Sequence, residues 1–416
     1  MSRELPAGVA VELDAIELGA PVQVGTLRRV PSSFGAVVAF AYHEAWLARS
    51  DAFVIDPVHG LYPGDQYPRA GDTIAASFTD AAPDRWGRTL LERREAGRAR
   101  EEGRNRRALG EWEFLLGVSD YSRMGALRFV DAGGRHLDDG APGVPPLAGL
   151  RELEVAAREL EHPSRGGRSR EAERLALLLA PGSSLGGARP KATFTGEDGS
   201  LWMAKFPSRT DRHDVGACEL ALNDLAARAG IDVPEHRLLA LGEGHRTFAA
   251  RRFDRVPGSR RLYASAMTMT SRRDRDAASY LDLALAIADH GAPGRIREDL
   301  TQLFRRAAFN VLASHRDDHL RNHGFVRTTG GWRLAPAFDL NPTPGKPEHE
   351  LSLDGAIHRG DLEVLRETAP FYRLSGPEAD AIIDEVRAAL ATWRDVVRGL
   401  DLAAAEVDVL EDAIAG

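Results

Sequence analysis

The spacing of apolar positions changes along the chain, and the changes divide it. Between residues 7 and 60, short apolar runs are set apart by Gly, Pro and Ser. The runs 9–13, 22–27, 36–40 and 52–55 predict strands of a small β module. From 83 to 117 the pattern becomes helical. Pro83-Asp84-Arg85-Trp86 precedes Leu90-Leu91, a charged helical stretch follows, and 111–116 predicts another turn. Residues 136–150 are rich in Gly and Pro and read as a linker. Helices are expected over 150–160 and 171–179.

The middle of the chain predicts a strand pair and a helix. Residues 192–195 and 201–206 alternate around Asp198-Gly199, the pattern of a hairpin. Val215, Cys218, Leu222, Leu225 and Ala229 recur every three or four positions, a stripe that faces a core. Glu219 borders that stripe, and Gly230 is placed to end the helix. Strands are expected at 238–241 and 247–252. Beyond 276 the pattern is mainly helical, with helices at about 299–312, 377–398 and 403–413. Three domains are expected: a β-rich module over 1–140, a part with a Gly-rich loop over 141–260, and a helical part over 261–416.

Two features in this framework carry chemistry. The first is Pro181-Gly182-Ser183-Ser184-Leu185-Gly186-Gly187-Ala188-Arg189-Pro190-Lys191. Small residues this dense let a backbone bend sharply and offer N–H groups to phosphates. The run lacks the Walker A spacing. Lys205 follows on an apolar strand. A buried lysine needs partners, and a nucleotide phosphate and the Glu219 carboxylate would supply them.

The second is His315-Arg316-Asp317-Asp318-His319-Leu320-Arg321-Asn322. Asp317 stands five residues before Asn322 after His-Arg, the spacing of a protein-kinase catalytic loop. There the Asp accepts the proton of an attacking hydroxyl and the Asn helps hold magnesium. Two alternating runs around Thr329-Gly330-Gly331 then predict a hairpin that carries Asp339 back towards Asn322. Zinc ligation by His315, His319 and His323 is a competing reading, but Asp317, Asp318 and the following hairpin suit a loop better than a helix.

Charge and cysteine usage narrow the function classes. With 54 Lys and Arg against 62 Asp and Glu, the net charge of −8 argues against a general nucleic-acid binder. The arginine clusters between 93 and 107 alternate with Glu and read as a solvated helix face. A single cysteine, Cys218, fits a reducing cytosol. No secretion signal and no apolar run long enough to cross a bilayer are found, so a cytoplasmic protein is expected.

The chain resembles the HipA family, the serine/threonine-kinase toxins of bacterial toxin–antitoxin systems. The resemblance rests on Ser184-Leu185-Gly186-Gly187-Ala188-Arg189-Pro190-Lys191, Ala204-Lys205-Phe206-Pro207, Arg252-Phe253-Asp254-Arg255, Asp317 to Asn322 with the preceding Phe309-Asn310-Val311-Leu312, and Pro336-Ala337-Phe338-Asp339-Leu340. Val24 to Leu27 and the Pro83-Asp84 and Trp86-Gly87 pairs are similar to the family's N-terminal module.

The resemblance implies an α+β, two-lobed protein-kinase-like fold, with a β-rich N-terminal module and a mainly helical C-terminal lobe. It implies ATP and Mg2+ as cofactors. Asp317 would be the base and Asn322 and Asp339 the metal ligands. Ser184, Gly186, Gly187, Lys191, Lys205 and Glu219 would form the nucleotide site, with Ser184 autophosphorylated to shut the enzyme off. The implied partners are a cytosolic protein substrate, in the best-known case glutamyl-tRNA synthetase, and a HipB-like DNA-binding antitoxin. Met267-Thr268-Met269-Thr270 departs from the acidic segment expected after Arg252-Phe253-Asp254-Arg255. A small-molecule kinase and a catalytically silent regulatory partner are the alternatives.

Overall fold

The computed structural model describes residues 5–32, 35–137, 144–161 and 189–414. The chain forms two compact units. The first comprises Met1–Leu201 and Asp254–Ala264, the second Trp202–Phe253 and Ser265–Gly416. The expected helix at 171–179 lies outside the described residues.

In the first unit, Gly8–Leu13, Val22–Ser32 and Gly35–Tyr42 pair antiparallel in succession. Leu127–Val130 adds beyond the first of these strands and Asp65–Gln66 beyond the third, giving a five-stranded sheet. The alternation predicted the orientation: Val9, Val11 and Leu13 are all buried.

The expected strand at 52–55 does not form. Side chains satisfy this segment's backbone, because the Ile55 N–H donates to the Tyr42 hydroxyl at 2.8 Å and the Phe53 carbonyl accepts from the Trp46 indole at 3.3 Å. With these groups engaged, the run packs as irregular chain. The charged helix is present as Arg85–Glu101, capped by Asp84, whose carboxylate accepts from the Gly87 N–H at 2.8 Å.

In the second unit, Trp202 to Lys205 of the strand Leu201–Lys205 pair antiparallel with Thr247–Arg251, which also pairs with His236–Leu239. The helix Val215–Arg228 begins at Asp214, whose carboxylate accepts from the Ala217 N–H at 3.0 Å. Of its stripe, Cys218, Leu222, Leu225 and Ala229 are buried and Val215, at the first turn, is half-buried; Glu219 is buried with them. Gly216 lets the helix lie close to the sheet, since a Cβ there would meet the Arg246 carbonyl oxygen at 2.4 Å.

The helical part contains Tyr280–His290, Ile296–Leu312, Gly376–Leu390, Trp393–Leu400 and Ala404–Ile414. The single helix expected over 377–398 is broken at 391–392. The Thr392 hydroxyl donates to the Ala389 carbonyl at 2.7 Å and accepts from Arg228 at 2.9 Å. Side-chain bonding of this kind competes with the helical ladder. The predicted hairpin is present as Gly324–Thr328 and Gly331–Leu334, paired antiparallel around Thr329-Gly330. Among the described residues, no helix is long and apolar enough to cross a membrane.

Candidate active site

Lys205 ends its strand with a side chain only 11% exposed. Its ammonium donates to Glu219 of the Val215–Arg228 helix and to Asp339 Oδ1 at 2.6 Å. It also lies 5.7 Å from the centre of the Phe248 ring, on the neighbouring strand. Burial favours the neutral amine, but the Asp339 and Glu219 carboxylates outweigh it and raise the Lys205 pKa above its ordinary value. The lysine is therefore held charged. Glu219 is almost fully enclosed, whereas the Asp339 side chain is 22% exposed. One end of this triad is thus sealed and the other open.

Asp339 follows the hairpin and has φ +61°, a left-handed conformation that few non-glycine residues adopt. Aspartate is among the side chains that tolerate it. The Asn341 side-chain amide donates to Asp339 Oδ1 at 3.3 Å. The Asn341 carbonyl lies 2.7 Å from His315 Nδ1, which ties the Asp339 segment to the loop that carries Asp317. His315 is buried, and burial pushes its pKa below the usual value.

Asp317 and Asp318 are neighbours with opposite surroundings. The Asp317 side chain is 47% exposed, and its Oδ1 accepts from Lys346 at 2.6 Å. The Asp318 side chain is fully enclosed. It accepts from the Tyr280 hydroxyl at 2.6 Å, the Glu350 N–H at 3.0 Å and His349 Nδ1 at 3.1 Å. Burial opposes its ionisation, but the bond and charge of His349 and the tyrosine bond prevail, holding its pKa at about 2. Tyr280 in turn accepts from Asn310 at 2.7 Å. Asp318 thus fixes the loop from inside while Asp317 points outward.

The Asn322 side-chain amide donates to the Asp317 carbonyl at 2.7 Å. Its Oδ1 is buried and has no hydrogen-bond partner, as is Asn341 Oδ1. The Asn341 side chain adjoins the Asp339 carboxylate, and its orphaned oxygen and that of Asn322 are donors of the kind a hard cation takes. The described residues contain no group of three or more His, Cys, Asp or Glu that could hold a metal. Magnesium does not require one, because it is commonly held by one or two carboxylates together with substrate phosphates and water. The donor set fits that ion. His315, His319 and His323 do not form a zinc site among the described residues. The His323 ring is buried without a hydrogen-bond partner, edge-on to Tyr280, and burial lowers its pKa to about 3.

The structure therefore brings Lys205, Glu219 and Asp339 into direct contact and links them through Asn341 and His315 to the loop of Asp317 and Asn322. Lys191 belongs to the first unit. It is buried there, and its ammonium donates to Asp84 at 2.7 Å. Ser184, Gly186 and Gly187 lie outside the described residues. Asp318, Tyr280, His349, Asn341 and Lys346 were not singled out from the sequence. Asp318 alone had a signal, a second carboxylate beside Asp317 in a loop that must be anchored.

The lysine–glutamate–aspartate triad beside an Asp-x4-Asn loop defines a kinase-like α+β protein. The sequence model of the HipA-like C-terminal domain matches residues 183–393, half of the chain, and the chain belongs to that family. A similar solved structure is that of HipA from Shewanella oneidensis MR-1, determined in a toxin–antitoxin complex of HipA, HipB and operator DNA. It has a TM-score of 0.69 and 15% identity, covering 98% of this chain and 96% of that one. The Helicobacter pylori proinflammatory kinase CtkA is a more distant likeness. Its TM-score is 0.44 at 14% identity, covering 55% of this chain and 88% of that one. No curated protein sequence matches the chain.

Proposed function

We propose that the protein is an ATP-dependent serine/threonine protein kinase of the HipA type, the toxin of an antitoxin pair. The observation that carries this reading is the Lys205–Glu219–Asp339 triad, three charged residues distant in sequence that meet beside the Asp317–Asn322 loop. Lys205, held charged by Glu219, would bind nucleotide phosphates. Asp317 would take the proton of the attacking hydroxyl. Asp339 and Asn322 would hold magnesium, which neutralises phosphate charge when bound. The chain's task is positioning and charge stabilisation, as phosphoryl transfer demands.

The Asp339–Lys205 bond lasts only while no nucleotide competes for either group. In the proposal, Asp339 exchanges the lysine for the metal, and Lys205 keeps Glu219 and gains phosphate. Ser184, Gly186 and Gly187 would cover the phosphates. Lys191 would join them only by leaving Asp84. Phosphate on Ser184 would add roughly two negative charges to that loop and repel the nucleotide. A DNA-binding antitoxin and a protein substrate complete the proposal. The presence of HipB in the Shewanella complex supports the antitoxin.

Intact-mass spectrometry after incubation with Mg2+ and ATP tests the reading. Phosphate gained by the wild-type chain at Ser183 or Ser184, and not by Asp317→Ala, is the expected result. No gain by protein shown to start unphosphorylated would remove the autophosphorylation proposal.

A further inference from the structure

The segment after Asp339 is stitched to the catalytic loop more tightly than a surface loop requires. The Thr343 N–H donates to the Ser314 carbonyl at 2.9 Å, and the Arg316 N–H donates to the Thr343 hydroxyl at 2.8 Å. The Arg316 guanidinium donates to the Pro344 carbonyl at 3.1 Å and also to the carbonyl of Lys346. A turn closes between the Lys346 N–H and the Thr343 carbonyl at 3.0 Å. At its far end the Glu350 N–H donates to the Arg316 carbonyl at 3.2 Å and to Asp318 Oδ1 at 3.0 Å.

This bonding fixes the backbone of the segment that carries Lys346. Arg316 holds the backbone of Lys346, and the Lys346 ammonium returns to Asp317, the residue beside Arg316, at 2.6 Å. A second carboxylate, Glu350, accepts from the same ammonium at 2.7 Å. The lysine is 37% exposed and Asp317 is 47% exposed, so both can be reached from solvent. An exposed ion pair contributes little to stability, which leaves the anchoring of its backbone unexplained by folding alone.

Resting on the proposed kinase reading, we infer that Lys346 is a further catalytic residue, a cation that contacts the transferring phosphoryl group. In the step, the substrate hydroxyl oxygen forms a bond to the γ-phosphorus. The bond from that phosphorus to the β,γ-bridging oxygen breaks, and its electron pair leaves with ADP. The hydroxyl proton passes to the Asp317 carboxylate. Lys346, already on Asp317 and tethered by Glu350, is placed beside the attacking oxygen, where charge on the phosphoryl oxygens has to be balanced. Lys205 is held by Glu219 and Asp339, so the two lysines serve different parts of the reaction.

The test compares wild type with Lys346→Met and Lys346→Arg. Three quantities are read: kcat and KM for phosphoryl transfer from ATP, affinity for MgADP, and affinity for MgADP with fluoroaluminate, a mimic of the transferring group. Removing one preorganised charge donor predicts a fall in kcat of about a hundredfold in Lys346→Met. MgADP affinity should stay within about twofold, while affinity for the fluoroaluminate complex falls by about tenfold or more. Lys346→Arg should recover part of both losses, and thermal melting of both variants should match wild type. A wild-type kcat and unchanged fluoroaluminate affinity in Lys346→Met would overturn the inference while leaving the kinase reading intact. Absence of transfer by dephosphorylated wild type, together with no MgADP binding, would overturn both.

Discussion

Two lysines of this chain, one buried and one largely enclosed, are paired with aspartate, and they sit in different settings. In the first unit, Lys191 meets Asp84 with both side chains almost wholly enclosed. Asp84 is also the cap of the Arg85–Glu101 helix. Burial pushes the Asp84 carboxyl above the usual range, and the charge of Lys191 only partly restores it. In the second unit, Lys205 is shared by an enclosed glutamate and a partly exposed aspartate in a left-handed conformation. The first pair is closed and doubles as helix architecture. The second is open at Asp339, so a ligand can replace one partner without unpairing the lysine. A buried charge pair signals a site when one member is accessible and its backbone is unusual.

The comparison can be broken most directly at Asp339. Asp339→Ala should lower phosphoryl transfer by about a thousandfold or more, because a metal ligand is lost. Lys205 keeps Glu219, so thermal melting should change little. If Asp339→Ala unfolds the protein while residual activity per folded molecule is normal, the open pair is architecture after all.

Lys205→Met should lose about a hundredfold in transfer and, unlike Asp339→Ala, also lose stability. It leaves Glu219 buried without its cation, at a cost of about 3 kcal/mol. Urea unfolding beside the activity assay reads both effects. Asp84→Ala is the counterpart in the closed pair. It should destabilise by about 3 kcal/mol through the loss of a buried ion pair and of a helix cap. Per folded molecule, kcat should stay near wild type.

The smallest expected effect concerns the inner anchor of the loop. The folded-state pKa of Asp318 is depressed to about 2. A depressed carboxylate stabilises the fold above its unfolded value and loses that contribution as pH falls through the folded value. Asp318 should therefore contribute roughly 2 kcal/mol at neutral pH, fading between about pH 4 and 2. Asp318→Asn should be less stable than wild type at pH 7, and the gap should narrow at pH 3 in urea titrations. A gap independent of pH would show that the carboxylate charge is not what anchors the loop.

Much of this site was legible because its residues sit at fixed offsets from recognisable elements. Asp317 and Asn322 share one loop, and the Gly-Gly turn fixes the hairpin that brings Asp339 back. Lys205 stood out as a charge in an apolar strand, and Glu219 as the carboxylate bordering an apolar helical stripe. The supporting residues were not legible. Tyr280 and His349 reach Asp318 from positions 38 residues before and 31 after it, with no periodicity to link them. Lys346 lies in a Pro- and Gly-rich segment that reads as solvated loop, and only the Arg316 bonds reveal that its place is fixed. The same limit applied to the fold. The apolar run 52–55 looks like a strand, but tertiary hydrogen bonds to Tyr42 and Trp46 replaced the ladder. The break at Thr392 arose from a bond to Arg228 that local sequence does not announce.

The central claim is that the Asp317 loop and the Lys205 triad transfer a phosphoryl group from ATP to a protein hydroxyl. The most direct test adds γ-labelled ATP and Mg2+ to a bacterial cell extract, with either dephosphorylated wild type or Asp317→Ala. The account predicts label on Ser or Thr of extract proteins or of the chain itself with wild type, and background label with Asp317→Ala. Equal labelling by the two chains, or background with both, would contradict it.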